Sequence, residues 1–265
     1  MKALVCSSLT DDFAGIRVED VDLPEPGAGE VRIRILATSL NYPDILLCQG
    51  KYQLKLEPPF TPGMDIAGEI DAVGEGVERF FVGEAVVGGL RFGGLAEYAV
   101  VSTESLQKKP DHLSFAEAAA YQVAYLTAYV ALVRRGNLRA GETLLVHGAS
   151  GGVGMAAVDV GKLLGATVIA TGGSDAKLQR VLRYGADHVI NNKQGFREQV
   201  KALTAGRGAD VVYDPVGGDI FDESTRCINF DGRLLIIGFA SGRIASVAAQ
   251  IPLNKRLLCY GCKGR

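Results

Sequence analysis

The chain has 265 residues, 48% of them hydrophobic, and its 28 Lys and Arg against 30 Asp and Glu give a formal net charge of −2. That length supports two domains with a large buried core. The balanced charge excludes a basic footprint for nucleic acid, and no apolar run approaches the roughly 18 residues that span a membrane.

Strand character begins at Lys2–Val5, in a segment that lacks the apolar core of a signal peptide. It recurs at Glu30–Ala37, Asp65–Val73, Ala85–Val87 and Ala96–Val101, separated by turns rich in Pro and Gly. Short strands at this spacing predict a barrel-like β domain over residues 1–115. Ser114 followed by Glu117 is a capping-box signature, so a helix starts before Ala118. Over residues 116–265 strands and helices alternate. The strands are Thr143–His147, Thr167–Thr171, His188–Asn191, Asp210–Asp214 and Arg233–Gly238, with helices near 152–164, 175–184, 195–204 and 219–227. Such alternation predicts an α/β domain with a doubly wound parallel sheet, the Rossmann arrangement.

The most informative segment is Leu144-Leu145-Val146-His147-Gly148-Ala149-Ser150-Gly151-Gly152-Val153-Gly154. An apolar strand enters a glycine turn and then a helix, as a dinucleotide-binding β-α unit requires. Gly151 is expected to turn the chain without a Cβ clash. Gly152 and Gly154 are expected to admit a pyrophosphate and to let the helix pack close to the sheet. Ser150, Val153 and the helix start complete the cradle, with free N–H groups and the positive end of the helix dipole. Ala149 replaces the first glycine of the strict GxGxxG pattern.

Cofactor choice is read at the end of the next strand. An Asp or Glu there would bind ribose hydroxyls and repel a 2′-phosphate. This chain has Gly172-Gly173-Ser174 instead, with Lys177 one helical turn on, so NADPH is expected. Lys177 also reads as a solvated helix lysine, and Asp175 as a first-turn residue favoured by the helix dipole. The five cysteines form an odd, scattered set that points to a reducing compartment, the cytoplasm. Cys259-Tyr260-Gly261-Cys262 has CxxC spacing but no second pair.

Several further motifs stand in a characteristic order. They are Asn41-Tyr42-Pro43-Asp44, Gly50-Lys51-Tyr52, Pro62-Gly63-Met64-Asp65-Ile66-Ala67-Gly68, Gly93-Gly94-Leu95-Ala96-Glu97-Tyr98, Leu126-Thr127-Ala128-Tyr129 and Val212-Tyr213-Asp214-Pro215-Val216-Gly217-Gly218. With the glycine turn, they resemble the medium-chain dehydrogenase/reductase superfamily, in its zinc-independent, zeta-crystallin-like quinone oxidoreductase branch. The resemblance implies a GroES-like β-barrel domain beside a Rossmann domain, with the cofactor in the cleft between them.

It further implies that Asn41, Tyr52 and Thr127 lie near the nicotinamide end, and that Gly238 and Phe239 follow the last strand there. Asn41 and Thr127 would bond the carboxamide or a substrate oxygen. Tyr52 would donate its hydroxyl to the acceptor or merely pack. Asp44 reads as a helix or turn cap. Related enzymes often carry a tyrosine where Asn192 stands near the phosphate. Zinc dehydrogenases place a cysteine and a histidine where this chain has Asn41 and Met64, with Asp65 in their glutamate position, so no metal is expected. His112, His147 and His188 are widely spaced and read as surface or strand-end residues.

Without a metal to polarise a carbonyl, the expected acceptor is electron-poor: a quinone, or alternatively an α,β-unsaturated carbonyl. The partners expected are this small molecule and, from the resemblance, a second copy in a homodimer. The ending from Leu257 to Arg265 resembles no helix or strand of the family. It predicts an incomplete domain whose sheet stops at its fifth strand, putting the dimer in doubt and leaving a catalytically weak nucleotide-binding protein as a further alternative.

Overall fold

A computed structural model describes residues 1–262. They divide into two compact units, Met1–Val123 and a second that begins at Ala124.

In the first unit β1 (Lys2–Cys6) and β2 (Ile16–Asp20) form an antiparallel ribbon. The main sheet comprises β3 (Glu30–Ser39), β4 (Asp65–Val73), β5 (Ala85–Gly89), β6 (Tyr98–Ser102) and β7 (Leu106–Lys108). All its pairings are antiparallel, in the order β6-β3-β4-β5-β7. Two-residue alternation explains β3. Val31 and Ile33 enter a core with Ile66, Ile70, Phe80 and Leu106. Arg32 and Arg34 instead reach across to Asp71 and Glu69 on β4, each at 2.7 Å.

Between β3 and β4 lies α1 (Tyr42–Cys48), too short to hold by itself in water. Pro43 sits in its first turn, and Asp44 Oδ2 accepts the Asn41 N–H at 2.8 Å, which satisfies one orphan donor. Leu47 and Cys48 then bury their side chains against Cys6, Phe60 and Met64.

The helix α2 (Phe115–Tyr129) starts at the expected box: Ser114 N–H donates to Glu117 Oε2 at 2.8 Å, and Glu117 N–H to Ser114 Oγ at 3.2 Å. The division between units falls within this helix. The second unit is built from β8 (Thr143–Val146), β9 (Thr167–Gly172), β10 (His188–Asn191), β11 (Ala209–Asp214), β12 (Ile228–Ile236) and β13 (Leu258–Gly261). Its helices are α3 (Gly152–Leu163), α4 (Asp175–Tyr184), α5 (Arg197–Leu203), α6 (Gly218–Cys227) and α7 (Gln250–Lys255).

The sheet is parallel in the order β10-β9-β8-β11-β12-β13. Its strands are apolar on both faces because both are covered. On β8, Leu144 and Val146 enter one core cluster and Leu145 the other. The order in which successive strands are added reverses between β8 and β11, and in such a sheet the ligand crevice lies beyond the C-terminal ends of the strands at that point.

The expectation that the sheet stops at its fifth strand is corrected. β13 pairs with β12 in register Arg233–Leu258 to Ile236–Gly261, and Cys262 N–H donates to Ile236 O at 3.0 Å. Apolar burial holds this segment: Leu257 is 4% exposed, in a cluster with Ile228 and Leu234.

Candidate active site

At the β8–α3 turn the glycines divide their work differently from expectation. Gly151 has extended backbone (φ −84°, ψ 168°) open to any residue, and a Cβ there would meet only Gly148 O at 3.4 Å. The requirement for glycine falls on Gly148, whose φ is +55°. Gly154 is a packing glycine, since a Cβ would clash with Gly148 O and approach Ala149 Cα to 2.7 Å. Gly152 is different: a Cβ there would meet no atom of the other described residues within 4 Å. Nothing among the described residues demands glycine at that position. The first helical bond is donated by Met155 to Gly151 O at 2.8 Å, so the N–H groups of Gly152, Val153 and Gly154 precede the helical ladder. With exposed Ser150 and Gly152 beside them, they form an open anion cradle that fits a dinucleotide pyrophosphate.

Apart from Thr127, the other expected cofactor residues of this unit lie at the same ends of the strands. Gly173 and Ser174 follow β9, and Lys177 is exposed in the first turn of α4. A Cβ on Gly173 would lie 3.8 Å from Asn192 Oδ1 and 3.9 Å from Lys193 Cε. Asp175 is engaged by Asn191, whose amide donates to it at 2.7 Å. Gly238 and Phe239 follow β12, where Asp214 O accepts from Ile237 at 2.9 Å and from Gly238 at 3.4 Å. Thr127 is half-buried on α2.

Two polar groups beneath this edge escaped sequence reasoning. His147, read as a surface or strand-end residue, does follow β8 but is fully buried. Its Nδ1 lies 2.8 Å from Thr171 Oγ1 and its Nε2 2.7 Å from Ser224 Oγ. Ser224 donates its only hydroxyl proton to Ile220 O at 2.7 Å, so it accepts from Nε2–H and Thr171 donates to Nδ1. Burial drives the imidazole pKa down to about 3, and the neutral ring ties β8, β9 and α6 together. Asp214, at the end of β11, accepts from Val216 and Gly217 N–H on Oδ1, while Oδ2 is buried without a partner among the described residues. Burial raises its pKa above the ordinary carboxylate range.

In the first unit Asn41, Asp44, Asp65 and Tyr52 come together around the start of α1. Asn41 Nδ2 donates to Ser39 Oγ at 2.9 Å and to Asp65 Oδ2 at 3.0 Å. Asp44 has the capping role read for it, and its Oδ1 also accepts Gly63 N–H at 3.0 Å. Burial pushes both Asp44 and Asp65 upward against the hydrogen bonds they accept. Tyr52 packs on the Leu47–Phe60–Met64 cluster, and its phenol is raised by burial and then by the nearby Asp44.

Residues 27–111 match the alcohol dehydrogenase GroES-like domain, and residues 152–262 match the family described as zinc-binding dehydrogenase. Quinone oxidoreductase-like protein 2 of Bos taurus is 38% identical over 262 residues, covering 98% of this chain and 74% of that protein. The quinone oxidoreductase of Thermus thermophilus, solved also in complex with NADPH, superposes with a TM-score of 0.84 at 34% identity, over 98% of this chain and 80% of that one. The CurK enoyl reductase superposes with a TM-score of 0.88 at 30% identity, over 98% and 80%. A GroES-like domain joined to a Rossmann-type parallel sheet defines a medium-chain dehydrogenase/reductase. Within that superfamily the chain belongs to the quinone oxidoreductase branch and is an oxidoreductase.

The donor chemistry does not fit the zinc of the family description. Asn41 Nδ2 is engaged inside the protein, Met64 is buried in an apolar cluster, and Asp65 Oδ2 already accepts from three donors. Among the described residues no group of three His, Cys, Asp or Glu could hold a metal ion.

Proposed function

We propose that the protein transfers a hydride from NADPH to a quinone without zinc. Gly152 carries this reading: the structure gives it no internal reason to be glycine, and the volume left open faces unladdered helix N–H groups. When bound, NADPH supplies the hydride. The chain supplies binding and orientation. Ser150 to Gly154 hold the pyrophosphate. Gly173, Ser174 and Lys177 receive the 2′-phosphate, with Asn192 alongside. In the second unit Gly238, Phe239 and Thr127 are the residues proposed for the nicotinamide end; in the first, Asn41 and Tyr52 are those proposed to position ring or acceptor. The complex of the Thermus enzyme with NADPH supports the cofactor assignment. Five free cysteines support a reducing, cytoplasmic setting, and a homodimer belongs to the same proposal.

A second reading, reduction of activated double bonds in α,β-unsaturated carbonyls, is favoured by the similarity to an enoyl reductase. Steady-state NADPH consumption with a small benzoquinone and a small enone distinguishes the two. The quinone is expected to have the higher kcat/KM. Turnover of the enone alone would select the second reading, and NADPH consumption with neither would overturn both.

A further inference from the structure

Asp65 is 1% exposed, and its two oxygens are used unequally. Oδ2 accepts from Ser39 Oγ at 2.8 Å, from Asn41 Nδ2 at 3.0 Å and from Val123 N–H at 3.4 Å, whereas Oδ1 is buried without a partner among the described residues. This arrangement decides which way the Asn41 amide faces. Ser39 has one hydroxyl proton and donates it to Asp65. Ser39 Oγ therefore accepts from Asn41, and only the amide nitrogen has protons to give. Turning the amide over would set its oxygen against a carboxylate oxygen and a hydroxyl oxygen, two acceptor–acceptor contacts in a half-buried site. Both Nδ2 protons are thus engaged within the protein. What Asn41 can offer a ligand is Oδ1. Even with one lone pair turned to the Asp44 N–H of the capping box, the second is available.

We propose that Asp65 is a positioning residue that makes Asn41 a dedicated hydrogen-bond acceptor, suited to the carboxamide N–H of a nicotinamide and unable to donate to the acceptor's oxygen. The inference rests on the proposed function in taking Asn41 as a contact of the nicotinamide end. It separates two roles that the residue type alone leaves open, because an asparagine both donates and accepts. It also gives the buried carboxylate a task other than metal binding.

Calorimetric titration with NADP+ and with its 3-acetylpyridine analogue tests this without turnover. The analogue keeps the carbonyl oxygen and replaces the NH2 by a methyl group. The unaltered protein is expected to bind the analogue about tenfold more weakly, as loss of one hydrogen bond to a held acceptor implies. Asn41→Ala should bring the ratio close to one, and so should Asp65→Leu. Asp65→Asn should preserve the ratio, since its amide oxygen can accept the same three donors. If Asp65→Leu gives no cooperative melt, Asp65→Ser, too short to hold the Asn41 amide, carries the same expectation. A purely structural Asp65 would weaken both ligands together and leave the ratio unchanged, which overturns the proposal. NADP+ binding with a ratio near one in the unaltered protein overturns this inference alone, and no NADP+ binding at all overturns the proposed function with it.

Discussion

The buried imidazole of His147 makes acid stability a quantitative test of the Rossmann-type unit. The folded protein holds the ring neutral down to about pH 3, whereas the unfolded chain takes up a proton near pH 6.5. Stability that depends on the neutral ring is therefore complete above about pH 6.5 and is lost as pH falls toward about 3. The linkage amounts to about 1.4 kcal/mol for each pH unit inside that window, and about 5 kcal/mol across all of it. Asp44, Asp65 and Asp214 act in the opposite sense, because burial raises their folded pKa and makes protonation favour the native state. A bare pH profile would mix the two effects. His147→Phe separates them: the variant keeps a ring beside Phe196 (centroids 4.7 Å apart for the histidine) but cannot titrate. Losing the bonds to Thr171 and Ser224 should cost about 1–3 kcal/mol near neutrality. Urea melts of both proteins at about pH 7.5 and about pH 4.5 should show that gap narrowing by about 2.5 kcal/mol at the acid end. Parallel curves would refute the neutral, buried assignment of His147.

The two exposed-to-buried extremes of the glycine turn should separate cleanly. Gly152→Val should abolish NADPH binding while its thermal melt stays near that of the parent. Gly154→Val, which drives a Cβ into the Gly148 and Ala149 backbone, should lose about 1–3 kcal/mol of stability or more. Lys177→Ala should weaken NADPH by about 1–3 kcal/mol and leave NADH nearly unchanged in parallel titrations; equal losses would remove Lys177 from the phosphate site. Leu257→Ala should cost about 2–5 kcal/mol in a urea melt if the segment leading to β13 is packed as observed, and a neutral effect would deny that packing.

Where periodicity and chemistry coincided, the fold was legible in advance. Leu144-Leu145-Val146 announces a strand buried on both faces, and Ser114 with Glu117 announces α2 through a bond pattern that the structure contains. The elements that escaped are short or held from outside. β2 (Ile-Arg-Val-Glu-Asp) is largely exposed and exists through pairing with β1. α1 depends on a cap and on apolar contacts with residues far along the chain. β13, with a glycine among four residues, carries little propensity and is held by register on β12 and by Leu257. The same limit applies within the site. Gly151 and Gly154 look alike in a motif, yet only backbone torsions and the space around each Cβ tell a turn from a packing contact. Asp65 shares a motif with Met64 that speaks of zinc, while its partners Asn41 and Val123 stand 24 and 58 residues away. His147, Thr171 and Ser224 lie on three separate elements, so no local pattern joins them.

The central claim is metal-free hydride transfer from NADPH to a quinone, and one single-turnover measurement addresses it directly. Protein dialysed exhaustively against a strong chelator is loaded with NADPH in the absence of air and mixed with a limiting amount of a small benzoquinone. The expected result is oxidation of one NADPH for each quinone reduced, at a rate unchanged by added zinc. NADPH that binds without being oxidised, or is oxidised only once zinc is restored, would contradict it.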